Sequence, residues 1–158
     1  MSGRKGKAKP TARVHGRVRR EHSAEAAEDY CEAIDDLVAG EGQARVTELA
    51  RRFGLSHVTV SRVLARLRRE GLLRSAPGEP LALTPRGRTL AHAARSRHRA
   101  VVDFLLALGV PKEVAEADAE GIEHHVSPET LEAFRRVVAI DPRRRGREPG
   151  VRRPSTPD

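Results

Sequence analysis

The chain has 158 residues and a formal net charge of +8; charged residues make up 33% of it, aromatic residues only 3%, and tryptophan is absent. This length predicts one compact unit or two small ones, and a core restricted to Leu, Val and Ala favours helices. No apolar run approaches the roughly 20 residues that span a membrane, and the amino terminus has no apolar signal region. The single cysteine, Cys31, excludes an internal disulfide framework, so we expect a cytoplasmic protein without a membrane partner.

The charge is divided into blocks along the chain. Residues 45–99 contain 13 Lys and Arg against 3 acidic residues, whereas residues 100–140 contain 3 against 8. Residues 23–44 contain 7 acidic residues and no Lys or Arg. A basic block between acidic ones suggests a polyanion-binding module joined to a cation-binding module. Electrostatic attraction between the segments is the alternative, and both can hold.

Both ends of the chain lack apolar periodicity. Residues 1–22, rich in Lys, Arg and Gly, are predicted to be a disordered basic arm, and residues 141–158 a disordered Arg/Pro-rich tail. The arm could contact DNA phosphates or simply increase solubility. The next segment, residues 23–39, predicts a helix that Ser23 caps and Gly40 ends.

Residues 46–71 have the pattern of two helices joined by a tight turn. Val46 to Phe53 predicts a short helix that Gly54 breaks, and Ser56 is placed to cap the next helix. In that second helix the apolar positions i, i+3, i+4 and i+7 define a buried stripe. The opposite face begins with small or polar residues and continues with arginines, as a DNA recognition helix requires. An ordinary helical hairpin with a solvated basic face is the alternative.

Residues 72–84 alternate weakly around a Pro- and Gly-containing turn, which predicts a short hairpin directly after the recognition helix. Such a hairpin is a wing, and its flanking arginines would lie near the DNA backbone. The residues predicted to contact DNA are Ser56, His57, Val58, Thr59, Arg62, Arg66, Arg74, Arg86 and Arg88.

The last third of the chain predicts three helices. The first runs from Pro85 to Leu108, and its apolar end suggests a subunit interface. The second covers residues 111–125 and places Glu120, Glu123 and His124 on one face, at i, i+3 and i+4. Carboxylates beside an imidazole suit a divalent cation, although a solvated acidic helix face is the alternative. The third helix starts near residue 127.

Three blocks of the chain resemble the manganese-responsive (MntR) branch of the diphtheria toxin repressor (DtxR) family. They are residues 28–34, the winged helix with the Arg97-His98 and Phe104-Leu105 pairs that follow it, and residues 118–125. The resemblance covers about residues 23–140. It implies a mainly α fold with a small β wing: an N-terminal winged helix-turn-helix domain over residues 23–90 and a C-terminal helical metal-binding and dimerisation domain over residues 91–140.

The resemblance also implies a set of metal ligands. Glu116, one turn before Glu120 on the same face, matches no ligand of the family and stays outside the predicted set. Iron-responsive relatives have a sulfur ligand where this chain has Asp29, and an oxygen and imidazole set suits Mn²⁺, with Fe²⁺ chemically close. The implied metal ligands are Asp29, Glu32, His98, Glu120, Glu123 and His124.

The expected function is that of a homodimeric repressor of manganese-uptake genes. Two Mn²⁺ ions per subunit would activate its binding to double-stranded operator DNA, and no small-molecule substrate is expected. A metal-independent winged-helix regulator of MarR type and an iron-responsive DtxR-like repressor are the alternatives. A metallohydrolase is not expected, because the chain has no nucleophile motif and no Gly-rich phosphate loop.

Overall fold

The computed structural model describes the backbone of residues 10–140 and the side chains of residues 22–140. The predicted tail, residues 141–158, lies outside the described residues. The chain divides into two compact units, one ending at His92 and one beginning at Ala93, where we predicted a domain boundary after residue 90. Among the described helices, none is long and apolar enough to cross a membrane. In the described part of the chain the helices are α1 (Pro10–Glu41), α2 (Val46–Phe53), α3 (His57–Arg69), α4 (Pro85–Ala107), α5 (Lys112–Ile122) and α6 (Pro128–Ile140).

Helix α1 begins at Pro10, so the helix start predicted at Ser23 is wrong. The segment before Ser23 is rich in arginine, which favours helices, and proline is tolerated in a first helical turn. The backbone therefore stays helical through Ser23, whose hydroxyl accepts a hydrogen bond from Arg66 of α3 instead of capping a helix. Of the predicted disordered arm, residues 10–22 belong to α1, and residues 1–9 lie outside the described residues.

The helix-turn-helix of the first unit follows the prediction closely. Helix α2 has the predicted bounds, and Gly54 ends it with a φ of +63°, a left-handed conformation that glycine adopts without strain. Ser56 caps α3 by accepting a hydrogen bond from the Thr59 amide at 3.2 Å. The predicted apolar stripe of α3 is confirmed: three of its members are buried and one is partly buried. They are Val60, Leu64 and Leu67, with Val63 at the margin of the core.

The first unit has one continuous apolar core. The stripe of α3 belongs to the same cluster as Ile34 of α1 and Leu49 of α2, both fully buried. The rings of Tyr30 and Phe53 stack with their centroids 4.5 Å apart, which ties α1 to the end of α2. The core thereby packs α1, α2 and α3 together within the first unit.

The predicted β wing contains no regular strand in the described structure. Leu73 and Leu83 form an isolated antiparallel bridge. Next to it the Arg74 amide donates to the Ala82 carbonyl at 2.9 Å. The pairing stops there because the turn occupies most of the segment, and its prolines have no N–H to donate to a ladder.

The second unit contains the rest of α4, with α5 and α6. Its core joins Val101 of α4 to Ala119 of α5 and Leu131 of α6. Phe104 and Phe134 stack with their ring centroids 3.9 Å apart. Helix α5 ends at Ile122, earlier than the predicted residue 125, and α6 begins at Pro128 as predicted.

Candidate metal centre and nucleic-acid interface

The outward face of α3 is exposed to solvent. Val58 is 61% exposed although it is apolar, and its neighbours Thr59 and Arg62 are also exposed. This face includes a shallow, open depression of about 380 Å³, which is lined by His57, Val58, Ser61, Arg62 and Ala65. A helix that presents small and apolar groups at its N-terminus, followed by an arginine, has the chemistry needed to contact base edges.

The other predicted DNA-binding arginines differ in their surroundings. Arg74 is exposed. Arg86 and Arg88 are also exposed, and each donates one guanidinium hydrogen bond to a backbone carbonyl, of Glu70 at 2.9 Å and of Leu83 at 3.0 Å. Arg66 is only 25% exposed. It donates to the Ser23 hydroxyl and, at 2.9 Å, to the Ser23 carbonyl.

In the second unit, carboxylate and histidine side chains of α5 and of the residues just after it form a cluster with His98 of α4. The Nδ1 atom of His98 lies 2.7 Å from Oε2 of Glu123 and 4.0 Å from Oε1 of Glu120. The Nε2 atom of His124 lies 3.7 Å from Oε1 of Glu123. Glu123 follows the last residue of α5 but keeps helical angles, and its amide donates to the Ala119 carbonyl at 3.0 Å. Because the helical angles continue to Glu123, Glu120 and Glu123 lie on the same face, as their i, i+3 spacing predicts.

Burial gives the cluster its electrostatic character. Glu123 is only 5% exposed, and this burial raises the pKa of its carboxyl group above the ordinary value, against the lowering effect of the hydrogen bond with His98. Burial lowers the pKa of His98, but hydrogen bonds with Glu116 and Glu123 outweigh it, so the pKa of His98 is raised. A buried carboxylate requires a positive partner or a proton. The Glu123 carboxyl group therefore needs a proton of its own or a nearby positive charge, which a protonated His98 can supply.

The donor set matches the chemistry of a hard divalent cation, because it consists of carboxylate oxygens and imidazole nitrogens. Within residues 22–140 no three such groups converge on a common point as the side chains stand, since they hydrogen-bond to one another. Holding a cation would require those hydrogen bonds to be exchanged for metal bonds. Cys31, the single cysteine of the chain, is fully buried in the core of the first unit.

The structure thus brings together four of the six predicted metal ligands: His98, Glu120, Glu123 and His124. Asp29 and Glu32 belong to α1 in the first unit and remain predicted ligands. Glu116 stood outside the predicted ligand set, yet its Oε2 lies 3.2 Å from Nε2 of His98. The signal that could have found it was its position one helical turn before Glu120.

Comparison with known proteins assigns each unit to a family model. Residues 84–142 match the iron dependent repressor metal binding and dimerisation domain. Residues 36–79 match the MarR family. The first model covers the whole His98 cluster, and the second covers α2, α3 and the hairpin-like segment only as far as Glu79.

Several relatives match most of this chain. The transcriptional regulator MntR of Escherichia coli O157:H7 is 48% identical over 118 residues, which is 75% of this chain and 76% of the relative. The HTH-type transcriptional regulator MntR of Lysinibacillus sphaericus (strain C3-41) is 33% identical over 113 residues, 72% of this chain and 81% of the relative. These relatives are transcriptional regulators and not enzymes.

Solved structures agree with this assignment. A manganese-dependent transcriptional repressor in complex with manganese is 30% identical, with a TM-score of 0.62 over 72% of this chain and 51% of that chain. T. acidophilum IdeR is 26% identical, with a TM-score of 0.63 over 72% of this chain and 54% of that chain. The chain thus spans about half the length of these structures. By its identity to these regulators and its match to the metal-binding and dimerisation model, the chain belongs to the MntR branch of the DtxR family.

Proposed function

We propose that this protein is a manganese-activated, DNA-binding repressor that acts as a homodimer on manganese-uptake genes. The observation that carries the proposal is the cluster of His98, Glu120, Glu123 and His124, in which a buried carboxylate faces an imidazole. Oxygen and imidazole donors favour Mn²⁺, and Fe²⁺ is the nearest competitor. The family resemblance supports Asp29 and Glu32 as the remaining ligands and two ions per subunit.

The bound cation and the carboxylates of the chain would have different roles. A bound divalent cation supplies positive charge that lets the carboxylates stay ionised and close together. Glu123, buried in the second unit, gains most from that charge because water screens it least. The metal activates DNA binding because the carboxylates bind the ion more tightly in the DNA-binding conformation than in conformations that do not bind DNA.

We further propose that α3 enters the major groove and that residues 72–84 act as the wing. The exposed N-terminal face of α3 supports this, as does the basic character of residues 45–99. Val58, Thr59 and Arg62 would contact base edges, with Ser56 and His57 at the helix start. Arg74, Arg86 and Arg88 would lie along the backbone phosphates.

Exposed apolar side chains in the second unit support the homodimer. A two-fold interface that includes such side chains would remove them from water in both subunits at once. The residues are Leu108 at 58% exposure, Val114 at 47%, Val137 at 44% and Ile140 at 83%. Sedimentation of the metal-free and Mn²⁺-treated protein would test the dimer, and a monomer under both conditions would contradict it.

The decisive experiment measures DNA binding against divalent metals at fixed free concentration. Duplexes selected by the protein from a random-sequence pool in the presence of Mn²⁺ serve as probes, and fluorescence anisotropy gives the affinity. We expect strong binding with Mn²⁺, weaker activation by Fe²⁺, and little binding with chelator. Equal affinity with chelator and with Mn²⁺ would instead support the MarR-type alternative, which the match of residues 36–79 makes a concrete rival.

The test variant is Glu123→Ala, and Glu113→Ala is its matched control. Each removes one carboxylate, Glu113 from α5 and Glu123 from the residue that follows α5. Glu113 lies in the first turn of α5 and is exposed, whereas Glu123 is buried beside His98. We expect Glu123→Ala to abolish activation by Mn²⁺ while the dimer stays folded, and Glu113→Ala to respond like the parent. A normal Mn²⁺ response in Glu123→Ala would mean that the site is wrongly placed.

A further inference from the structure

The environment of His98 differs between its two ring nitrogens. Nδ1 faces Glu123 at 2.7 Å and Glu120 at 4.0 Å, which are both predicted metal ligands. Nε2 faces Glu116, whose Oε2 lies 3.2 Å away. The two nitrogens are on different edges of the imidazole, so Glu116 holds the edge that does not face the predicted ligands.

We propose that Glu116 is a positioning residue of the metal centre: it accepts the Nε2–H of His98 and so keeps Nδ1 directed at Glu120 and Glu123. This inference rests on the proposed metal function. A neutral imidazole carries one N–H, and the nitrogen that lacks it is the one that can bind a metal. Once a cation takes the place of the hydrogen bond between Nδ1 and Glu123, the Glu116 carboxylate would keep the remaining N–H on Nε2 and fix the ring orientation. It would also make Nδ1 a stronger metal ligand.

The helical spacing explains why Glu116 can do this. Glu116 and Glu120 are one turn apart on α5, so both carboxylates lie on the face that meets the His98 ring. Glu116 is 47% exposed, whereas Glu123 is 5% exposed. Glu116 therefore lies at the solvent edge of the cluster as a hydrogen-bond acceptor, while the buried Glu123 is the stronger candidate to exchange its hydrogen bond for a cation.

The test compares Glu116→Ala, which removes the acceptor, with Glu116→Gln, which keeps an acceptor oxygen but removes the charge. Glu113→Ala is the control for the loss of one acidic residue from the same exposed helix. The first readout is the imidazole N–H proton signal of His98 in the metal-free full chain, measured by NMR. The second is the affinity for Mn²⁺, measured by calorimetric titration.

We expect the parent and Glu116→Gln to show a slowly exchanging Nε2–H signal, and Glu116→Ala to lose it to exchange with water. The Mn²⁺ dissociation constant should rise about tenfold in Glu116→Ala. This is the lower end of the range for residues that orient metal ligands, because the contact between Glu116 and His98 is partly exposed. Glu116→Gln should recover most of that loss, and Glu113→Ala should match the parent.

Three results would overturn the proposal. They are an unchanged N–H signal and Mn²⁺ affinity in Glu116→Ala, an equal loss of affinity in Glu116→Gln, or an equal loss in Glu113→Ala. The second would show that the charge matters and the hydrogen bond does not. If the parent itself does not bind Mn²⁺, the proposed function fails, but the N–H signal of the metal-free protein still decides whether Glu116 holds His98.

Discussion

Replacing Arg66 by alanine separates two roles that one residue of α3 could have. The sequence predicts a contact with DNA, whereas the structure shows its guanidinium donating to the hydroxyl and the carbonyl of Ser23, with Glu70 at 3.5 Å from Nε. A hydrogen bond from a charged donor contributes about 1.5–3 kcal/mol, and an ion pair at i, i+4 about 0.3–0.5 kcal/mol. The two bonds to Ser23 share one side chain that is a quarter exposed, so they do not add fully.

We therefore expect Arg66→Ala to lower the free energy of unfolding by about 2 kcal/mol, and Ser23→Ala, which removes only the hydroxyl acceptor, by about 1 kcal/mol. The double variant should lose less than the sum because the two residues contact each other. Urea unfolding of the metal-free protein, followed by circular dichroism, measures these values. Hydrogen exchange of the α1 amides around Ser23 shows whether the loss is local.

Arg62→Ala is the matched control, one turn earlier on the same helix and exposed to solvent. It should change the unfolding free energy by no more than about 0.5 kcal/mol. Its DNA affinity, by contrast, should fall by about 1–3 kcal/mol if Arg62 contacts a base. The reasoning is refuted if Arg66→Ala unfolds like the parent while the salt dependence of DNA binding weakens by about one counterion, because Arg66 would then be a phosphate contact.

Three further outcomes are expected. Asp29→Met should weaken the Mn²⁺ response and raise the relative response to Fe²⁺ or Co²⁺ in the anisotropy assay, because a thioether is a softer donor than a carboxylate; an unchanged order of metals would contradict it. Gly87→Ala should lower stability in urea by about 1–3 kcal/mol, because its Cβ would lie 2.3 Å from the Leu72 carbonyl oxygen, whereas Gly40→Ala, with nothing within 4 Å, should not. Burial raises the pKa of Cys31 to about 11, so its thiol should resist alkylation at neutral pH until urea unfolds the chain; the stability it contributes is present below its unfolded value of 9.0 and is lost as the pH rises toward 11.

Much of the fold could be predicted because it depends on local chemistry. The bounds of α2, the Ser56 cap and the buried stripe of α3 all follow from helical period and capping within a few residues of sequence. The grouping of Glu120, Glu123 and His124 is likewise local. Placing His98 beside them depended on the family resemblance, which encodes a contact across the packing of α4 against α5.

Only the tertiary structure decided the contacts between residues that lie far apart in the chain. The local pattern predicted Ser23 as a helix cap. Its hydrogen-bond partner, Arg66, belongs to another helix, and a local pattern does not include it. Glu116 was left out because its role depends on which edge of the His98 ring faces α5. The wing is a single bridge, and next to it the Leu81 amide donates to the Ala44 carbonyl at 2.7 Å, a partner from outside the segment that a local pattern does not show. Helical period and capping depend on neighbouring residues, so they can be predicted from the sequence. The ring orientation of His98, the partners of arginines and strand pairing depend on packing between distant residues, which the sequence alone does not give.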